Sequence, residues 1–290
     1  MPSSFDARGA MKQASGNRPN AIDVFAANRA VGTVAFDTAL VNGITRRRDV
    51  REQGSLRVRF PSPETHALSS VLVNTAGGVA GGDRFSVAIE AGEGTAVTLT
   101  TAAAEKIYRS EGDAAAIDVK LRVQAEAHLA WLPQETILFD RAKLARRFDI
   151  DLADNASLLL AEIVVFGRAA MNERVTRGAY TDRWRVRRDG RLIFAETLQL
   201  DGAVGDRLAQ RAIADGGNAI ATVLIVPGTE AIVERIRTAS PTFAGEVGVS
   251  AWNGFALARF CAKDAAALRA DVVTVLAHID AKALPRLWLS

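Results

Sequence analysis

Apolar and polar residues alternate along much of the chain, and the alternation has the period of a β-strand. Phe85, Val87 and Ile89 alternate with Ser86, Ala88 and Glu90, and Ile117, Val119, Leu121 and Val123 alternate with Asp118, Lys120 and Arg122. Phe148, Ile150 and Leu152 repeat the pattern around Asp149 and Asp151. Successive side chains of a strand point to opposite faces, so each segment predicts one buried and one wetted face. In RWRVRRDGRLIF, residues 183–194, the Asp189-Gly190 pair supplies the positive φ angles of a two-residue hairpin turn. Residues 30–200 read as strand after strand.

Three segments also resemble one another. FSVAIEAGEGTAVTL, VKLRVQAEAHLAWL and FDIDLADNASLLLA each give a strand, a short polar turn and a second apolar run. Gly94, Ala127 and Ala156 hold comparable places, 33 and 29 residues apart. Repeats of this length predict stacked units that bury a common core only together. A plain antiparallel sandwich with similar hairpins is the alternative.

Beyond residue 214 the pattern changes. NAIATVLIV is a buried strand, and TEAIVERIRTA is a helix capped by Thr229. Asn253-Gly254 turns a second hairpin, and Leu268, Val272, Val275 and Leu276 lie at helical spacing behind a cap at Asp264. The expected fold is mainly β: a superhelical, solenoid-like body over 30–214 with a small α+β element over 215–290. Both form one domain, preceded by a flexible arm over 1–29, rich in Ser, Arg, Asn and Gly.

Composition adds limits. A chain of 290 residues can bury about three quarters of its extended surface. Its hydrophobic fraction is 49% but aromatics are only 6%, which suits thin, closely stacked layers. A net charge of +3 is too small to argue for nucleic acid without a concentrated patch. Arg183, Arg185 and Arg187 share one strand face, with Arg188 and Arg191 nearby, and Arg46, Arg47 and Arg48 form a second group. Trp184 and Val186 lie on the opposite face and no aromatic group stands among the Arg183, Arg185 and Arg187 side chains, so both groups read as solvated faces. The single cysteine, Cys261, allows no internal disulfide, and the first 27 residues hold no apolar signal core. No run of about 18 apolar residues suggests a membrane span. These features predict a cytoplasmic protein.

The stretch NTAGGVAGGD, residues 74–83, raises the question of a phosphate loop. Gly77 and Gly82 have P-loop spacing, but Asp83 and Arg84 follow where Lys and Ser or Thr belong. A strand follows rather than a helix, so no helical N-terminus awaits an anion. The glycines Gly77, Gly78, Gly81 and Gly82 instead predict a sharp bend, at φ values other residues resist, that presents Asp83 at a turn and makes a contact loop.

Candidate chemistry is sparse. His66, His128 and His278 have no metal-ligand spacing with each other or with Cys261, so no tight metal site is expected. No G-x-S-x-G elbow occurs. Asp83, Glu135, Asp140 and Glu162 fall at strand or turn edges. Paired carboxylates on a β-solenoid could serve a carbohydrate-active enzyme, the alternative function, though the region offers few aromatic platforms beyond Trp131 and Tyr108.

Four motifs occur in one order: GGVAGGD, then TTAAAEKIYRS (100–110), WLPQETILFD (131–140) and FGRAAMNE (166–173). Together with the terminal PRLWLS, they make residues 33–290 resemble the urease accessory protein D family, called H in some bacteria. The motif residues include Lys106, Tyr108, Arg109, Trp131, Pro133, Gln134, Glu135, Gly167 and Arg168. Where the family has a Pro-Pro pair before the glycines, this chain has Thr75-Ala76, which loosens the entry to the loop. The resemblance implies a maturation scaffold rather than an enzyme, with no catalytic residue and no tightly bound cofactor. Its implied partners are apo-urease, urease accessory protein F and, through it, the GTPase urease accessory protein G; nucleic acid and membrane are not among them. It further implies nickel in transit, for which Asp83, Glu135, Asp140 and Glu162 are the candidate oxygen ligands.

Overall fold

The structure is a computed structural model and describes residues 29–63, 65–280 and 284–289. The expected arm lies, apart from its last residue, outside the described residues.

The chain begins with an antiparallel pair, β1 (Val31–Val41) and β2 (Ile44–Gly54), followed by β3 (Leu56–Arg59) and β4 (Ala67–Asn74) in a second sheet. It then shuttles between the sheets. β5 (Arg84–Ala91) crosses to β6 (Ala96–Thr101), and the return passes through the short β7 (Glu105–Ile107). β8 (Ala115–Val123) crosses to β9 (His128–Trp131) and returns through β10 (Thr136–Leu138). β11 (Lys143–Leu152) crosses to β12 (Ser157–Phe166). A hairpin of β13 (Gly178–Arg188) and β14 (Arg191–Gly202) completes the first sheet.

Because each pass lands beside the previous one in the same direction, β1, β5, β8, β11 and β13 are parallel neighbours, as are β4, β6, β9 and β12. The stacked-unit reading holds, with one correction. Ala96, His128 and Ser157 share a register, which aligns Ala127 and Ala156 with Thr95 rather than Gly94. Thr95 fits that buried slot because its hydroxyl donates to the Gly92 carbonyl at 2.6 Å and meets the Thr38 hydroxyl at 3.0 Å.

After the short helix α1 (Val204–Leu208), which the sequence pattern does not announce, β15 (Ala219–Val226) joins the second sheet antiparallel to β12. Helix α2 (Glu230–Thr238), the hairpin β16 (Glu246–Trp252) and β17 (Phe255–Ala262), and helix α3 (Ala265–Asp280) follow. Thr229 and Asp264 accept from the amides of Ile232 and Ala267, as their capping positions predict. Three layers result. One core fills the space between the sheets, with Val87, Leu121, Ile150 and Val186 facing Leu99, Leu129 and Leu158. The other lies between the second sheet and the helices, where Leu159, Ile163 and Val223 meet Val233, Leu268 and Val272. Strand β12 is buried on both faces, so its sequence runs SLLLAEIVVF without alternation.

Candidate functional site

The four sequence motifs are return loops on one end of the body, and they stack. Val79 bridges Ile107 in parallel, β7 pairs β10, and β10 pairs the end of β12. The repeat that stacks the strands thereby stacks segments that are distant in sequence into one continuous face.

The glycine loop is shaped by contacts. Asn74 starts it: its Oδ1 accepts from the Ala76 amide at 2.9 Å and its Nδ2 donates to the Gly78 carbonyl at 3.0 Å. The Tyr108 hydroxyl donates to the Gly77 carbonyl at 2.8 Å, and its ring lies where a Cβ on Gly78 would sit, 2.5 Å away. Gly77, Gly78 and Gly82 have φ of 78°, 148° and 85°. Gly81 needs no positive φ; there a Cβ would fall 1.9 Å from the Ser110 hydroxyl, so close packing excludes a side chain. Asp83 is not presented outward. It is buried, its two carboxylate oxygens accepting from the Ala30 and Ala80 amides at 2.8 and 2.7 Å, so it staples the loop to the start of β1.

Outward from this loop runs a ladder of side chains. Tyr108 packs edge-on to Phe139 at 5.2 Å, and the Arg168 guanidinium sits 4.1 Å over the Phe139 ring while binding both oxygens of Glu173. Gly167, at φ 92°, lets the chain fold back so closely that a Cβ would meet the Glu173 carbonyl at 2.3 Å. Met171 at the tip is 67% exposed, and Lys106 and Arg109 are exposed beside Tyr108. Asp140 holds the next turn: one carboxylate oxygen accepts from the Thr176 amide and hydroxyl and the Arg177 amide at 2.7, 2.9 and 3.2 Å. Although partial burial opposes ionisation, these donors hold its carboxyl below the usual range. Asp140→Ala leaves two backbone N–H groups without an acceptor. Loss of about 1–2 kcal/mol is expected, read as a lower urea midpoint at unchanged m. A midpoint equal to wild type would show that water replaces the carboxylate.

The WLPQE motif turns the other way and receives the chain end. Trp288 is buried and donates from Nε1 to the Leu132 carbonyl at 2.8 Å, and Gln134 donates to the Leu287 carbonyl at 3.1 Å. Glu135 pairs at 2.6 Å with Arg269 of α3, whose guanidinium also covers the Trp288 ring at 4.9 Å. Pro133 is buried at the bend. Two segments that mark the resemblance separately, WLPQE and RLW, are thus halves of one contact.

Glu162 belongs to a group that sequence patterning does not reveal. Trp131 Nε1 donates to it at 2.8 Å, and Arg146 bonds its second oxygen. The same guanidinium reaches Asp182 Oδ2 at 2.5 Å, the Tyr180 hydroxyl at 3.0 Å and Thr136 at 3.3 Å. Arg146, Glu162 and Asp182 are all buried, and they tie β11, β12 and β13 together across the two sheets. Burial pushes Glu162 up, more than the adjacent arginine pulls it down. Glu162 and Asp182 border a cavity of about 500 Å³ between the sheets, which Glu196, Glu246, Arg259 and Cys261 also line. The only sequence hint is three charged residues placed on the inward parity of their strands. A second unannounced acid, Glu105, lies beside the glycine loop, and burial pushes its carboxyl up to about 7.

The four carboxylates named as candidate ligands are therefore not brought together: Asp83, Asp140, Glu135 and Glu162 hold four different contacts. Among the described residues no group of three or more His, Cys, Asp and Glu side chains is arranged to hold a metal ion. His128 and His278 hydrogen-bond Ser157 and the Thr274 carbonyl. The arginine face of β13 points outward, with Arg187 within 4.0 Å of both Asp149 and Asp151. Among the described residues no helix is long and apolar enough to cross a membrane.

A family profile described as UreD urease accessory protein matches residues 30–289. The chain is 65% identical over 271 residues to a protein of Rhodopseudomonas palustris strain BisB18 named urease accessory protein UreD, covering 93% of this chain and 98% of that one. It is 63% identical over 270 residues to urease accessory protein UreD 3 of Bradyrhizobium sp. strain BTAi1, covering 93% and 97%. Against the UreD of Bradyrhizobium diazoefficiens it is 64% identical over 267 residues, covering 92% and 96%.

Proposed function

The chain belongs to the UreD urease accessory protein family, an accessory rather than an enzyme, and we propose that it is the scaffold on which urease receives its nickel. In this reading it binds apo-urease in the cytoplasm and recruits accessory protein F, which brings the GTPase, accessory protein G. GTP hydrolysis by the GTPase then drives nickel into the urease active site. The observation that supports the reading is the stacked motif face. Tyr108, Arg109, Lys106 and Met171 stand exposed on it, while Asp83, Asp140, Gly78 and Gly81 are spent on holding its shape. A rigid face carrying exposed aromatic, arginine and methionine side chains is the composition of a protein-binding surface.

Nickel is cargo in this scheme. Of the carboxylates proposed for its passage, Glu162 has an adjoining cavity, and Glu196 and Glu246 share it. Asp83, Glu135 and Asp140 enter the proposal as ligands only if their present contacts open.

The test is reconstitution. Apo-urease, accessory proteins F and G, nickel, bicarbonate and GTP are combined with this protein or with Met171→Asp/Arg109→Glu. Wild type is expected to be required for activation; the variant, folded by circular dichroism, is expected to lose co-purification and at least tenfold of activation, the cost of about 1.4 kcal/mol in binding. Full activation without this protein would end the scaffold reading.

A further inference from the structure

The motif face has an unfilled pocket at its glycine-loop edge. About 260 Å³ in volume, it is lined by Asn74, Gly77, Gly78, Thr101, Glu105 and Lys106. Glu105 enters β7 with its carboxylate largely withdrawn from water, and Asn74 Nδ2 donates to its two oxygens at 3.2 and 3.3 Å. The Lys106 amide donates as well. Among the described residues no lysine or arginine makes an ion pair with Glu105; Lys106 lines the pocket, but its ammonium lies beyond ion-pair distance. The other charged neighbour that acts on it, Asp83, is an acid. A half-buried carboxylate with no ion-pair partner is a costly arrangement.

We propose that this pocket receives an arginine side chain from a protein partner. Charge complementarity selects a cation. A single carboxylate is too small an anionic donor set for a bare metal ion, whereas a guanidinium offers five N–H groups in a planar fork. At the rim, Gly77 has no heavy atom within 4 Å of where its Cβ would be. An inserted group would also be sensed by the loop. The Asn74 amide that holds Glu105 also closes the loop onto the Gly78 carbonyl, and its Oδ1 fixes Ala76. This site depends on the geometry at Glu105 and not on the identity of the proposed urease partners.

The experiment titrates the purified full chain with arginine amide and, separately, with citrulline amide, both N-acetylated so that they differ only in side-chain charge, following the backbone amide resonances of Gly77 and Gly78. Arginine amide is expected to shift both at pH 8 and citrulline amide neither. With the carboxyl titrating near 7, affinity at pH 6 should be about tenfold weaker, in proportion to the ionised fraction. Asp83 and Lys106 are the other charged groups that face Glu105. Glu105→Gln should abolish the shifts while the remaining spectrum superimposes on wild type. Equal shifts by the two amides, shifts that survive in Glu105→Gln, or no shift with arginine amide would each overturn the proposal. So would nickel(II) alone moving these resonances while arginine amide leaves them still. If Glu105→Gln fails to fold, the paired titration and its pH dependence in wild type decide the matter.

Discussion

Arg146→Ala is expected to cost about 3–5 kcal/mol and to lower the melting temperature by roughly 10 °C. The guanidinium holds Glu162 on β12 and Asp182 on β13, with Tyr180 and Thr136 completing its contacts. Removing it leaves two carboxylates buried between the sheets with no cation. Glu162, which burial already holds above the usual carboxylate range, then rises further because the arginine no longer pulls it down. Stability from such groups is present at low pH and is lost as pH rises through the folded pKa. Calorimetry should therefore show the variant recovering relative to wild type as pH falls from 8 to 5.5. Replacing Arg146, Glu162 and Asp182 together by leucine should cost much less, since no charge is stranded. A single variant as stable as wild type, or one with the wild-type pH profile, would show that water enters from the adjoining cavity and solvates the acids.

Gly81→Val is expected to cost about 3 kcal/mol or more, and the reason differs from that at its neighbours. A Cβ there meets Ser110 Oγ at 1.9 Å, Ser110 Cβ at 2.4 Å and the Asp113 carbonyl at 2.6 Å. Ser110 is itself held, its hydroxyl donating to Asp113 at 2.8 Å. Urea unfolding should place Gly77→Ala about 1 kcal/mol below wild type, the cost of a positive φ in open space. Gly81→Ala should fall further. Ser110→Gly should restore only part of the loss in Gly81→Ala, because the Asp113 carbonyl remains. Full restoration, or equal costs at residues 77 and 81, would contradict the packing account.

These two cases mark where sequence reasoning reached and where it stopped. The hairpins at Asp189-Gly190 and Asn253-Gly254, the caps at Thr229 and Asp264, and the inward parity of Val119, Leu121 and Val123 were all legible, because each rests on residues within one turn or one strand. The glycine loop was legible as a bend but not in its causes: Gly81 answers to Ser110, and Asp83 to Ala30, 53 positions away. The repeat was seen one residue out of register at Gly94, because only inter-strand hydrogen bonding assigns Thr95 to the stacked position.

The sequence by itself determined a β-rich stacked body, the family, and the motifs that mark it, since period and turn chemistry are local and survive in one dimension. Only the tertiary structure decided that four motif loops form one face, that WLPQE and the C-terminal Trp288 are one contact, and that the one guanidinium of Arg146 answers both Glu162 and Asp182 in the core. Charge pairing and close packing depend on distances across sheets. An isolated charged residue in a strand carries no mark of which opposing strand will answer it.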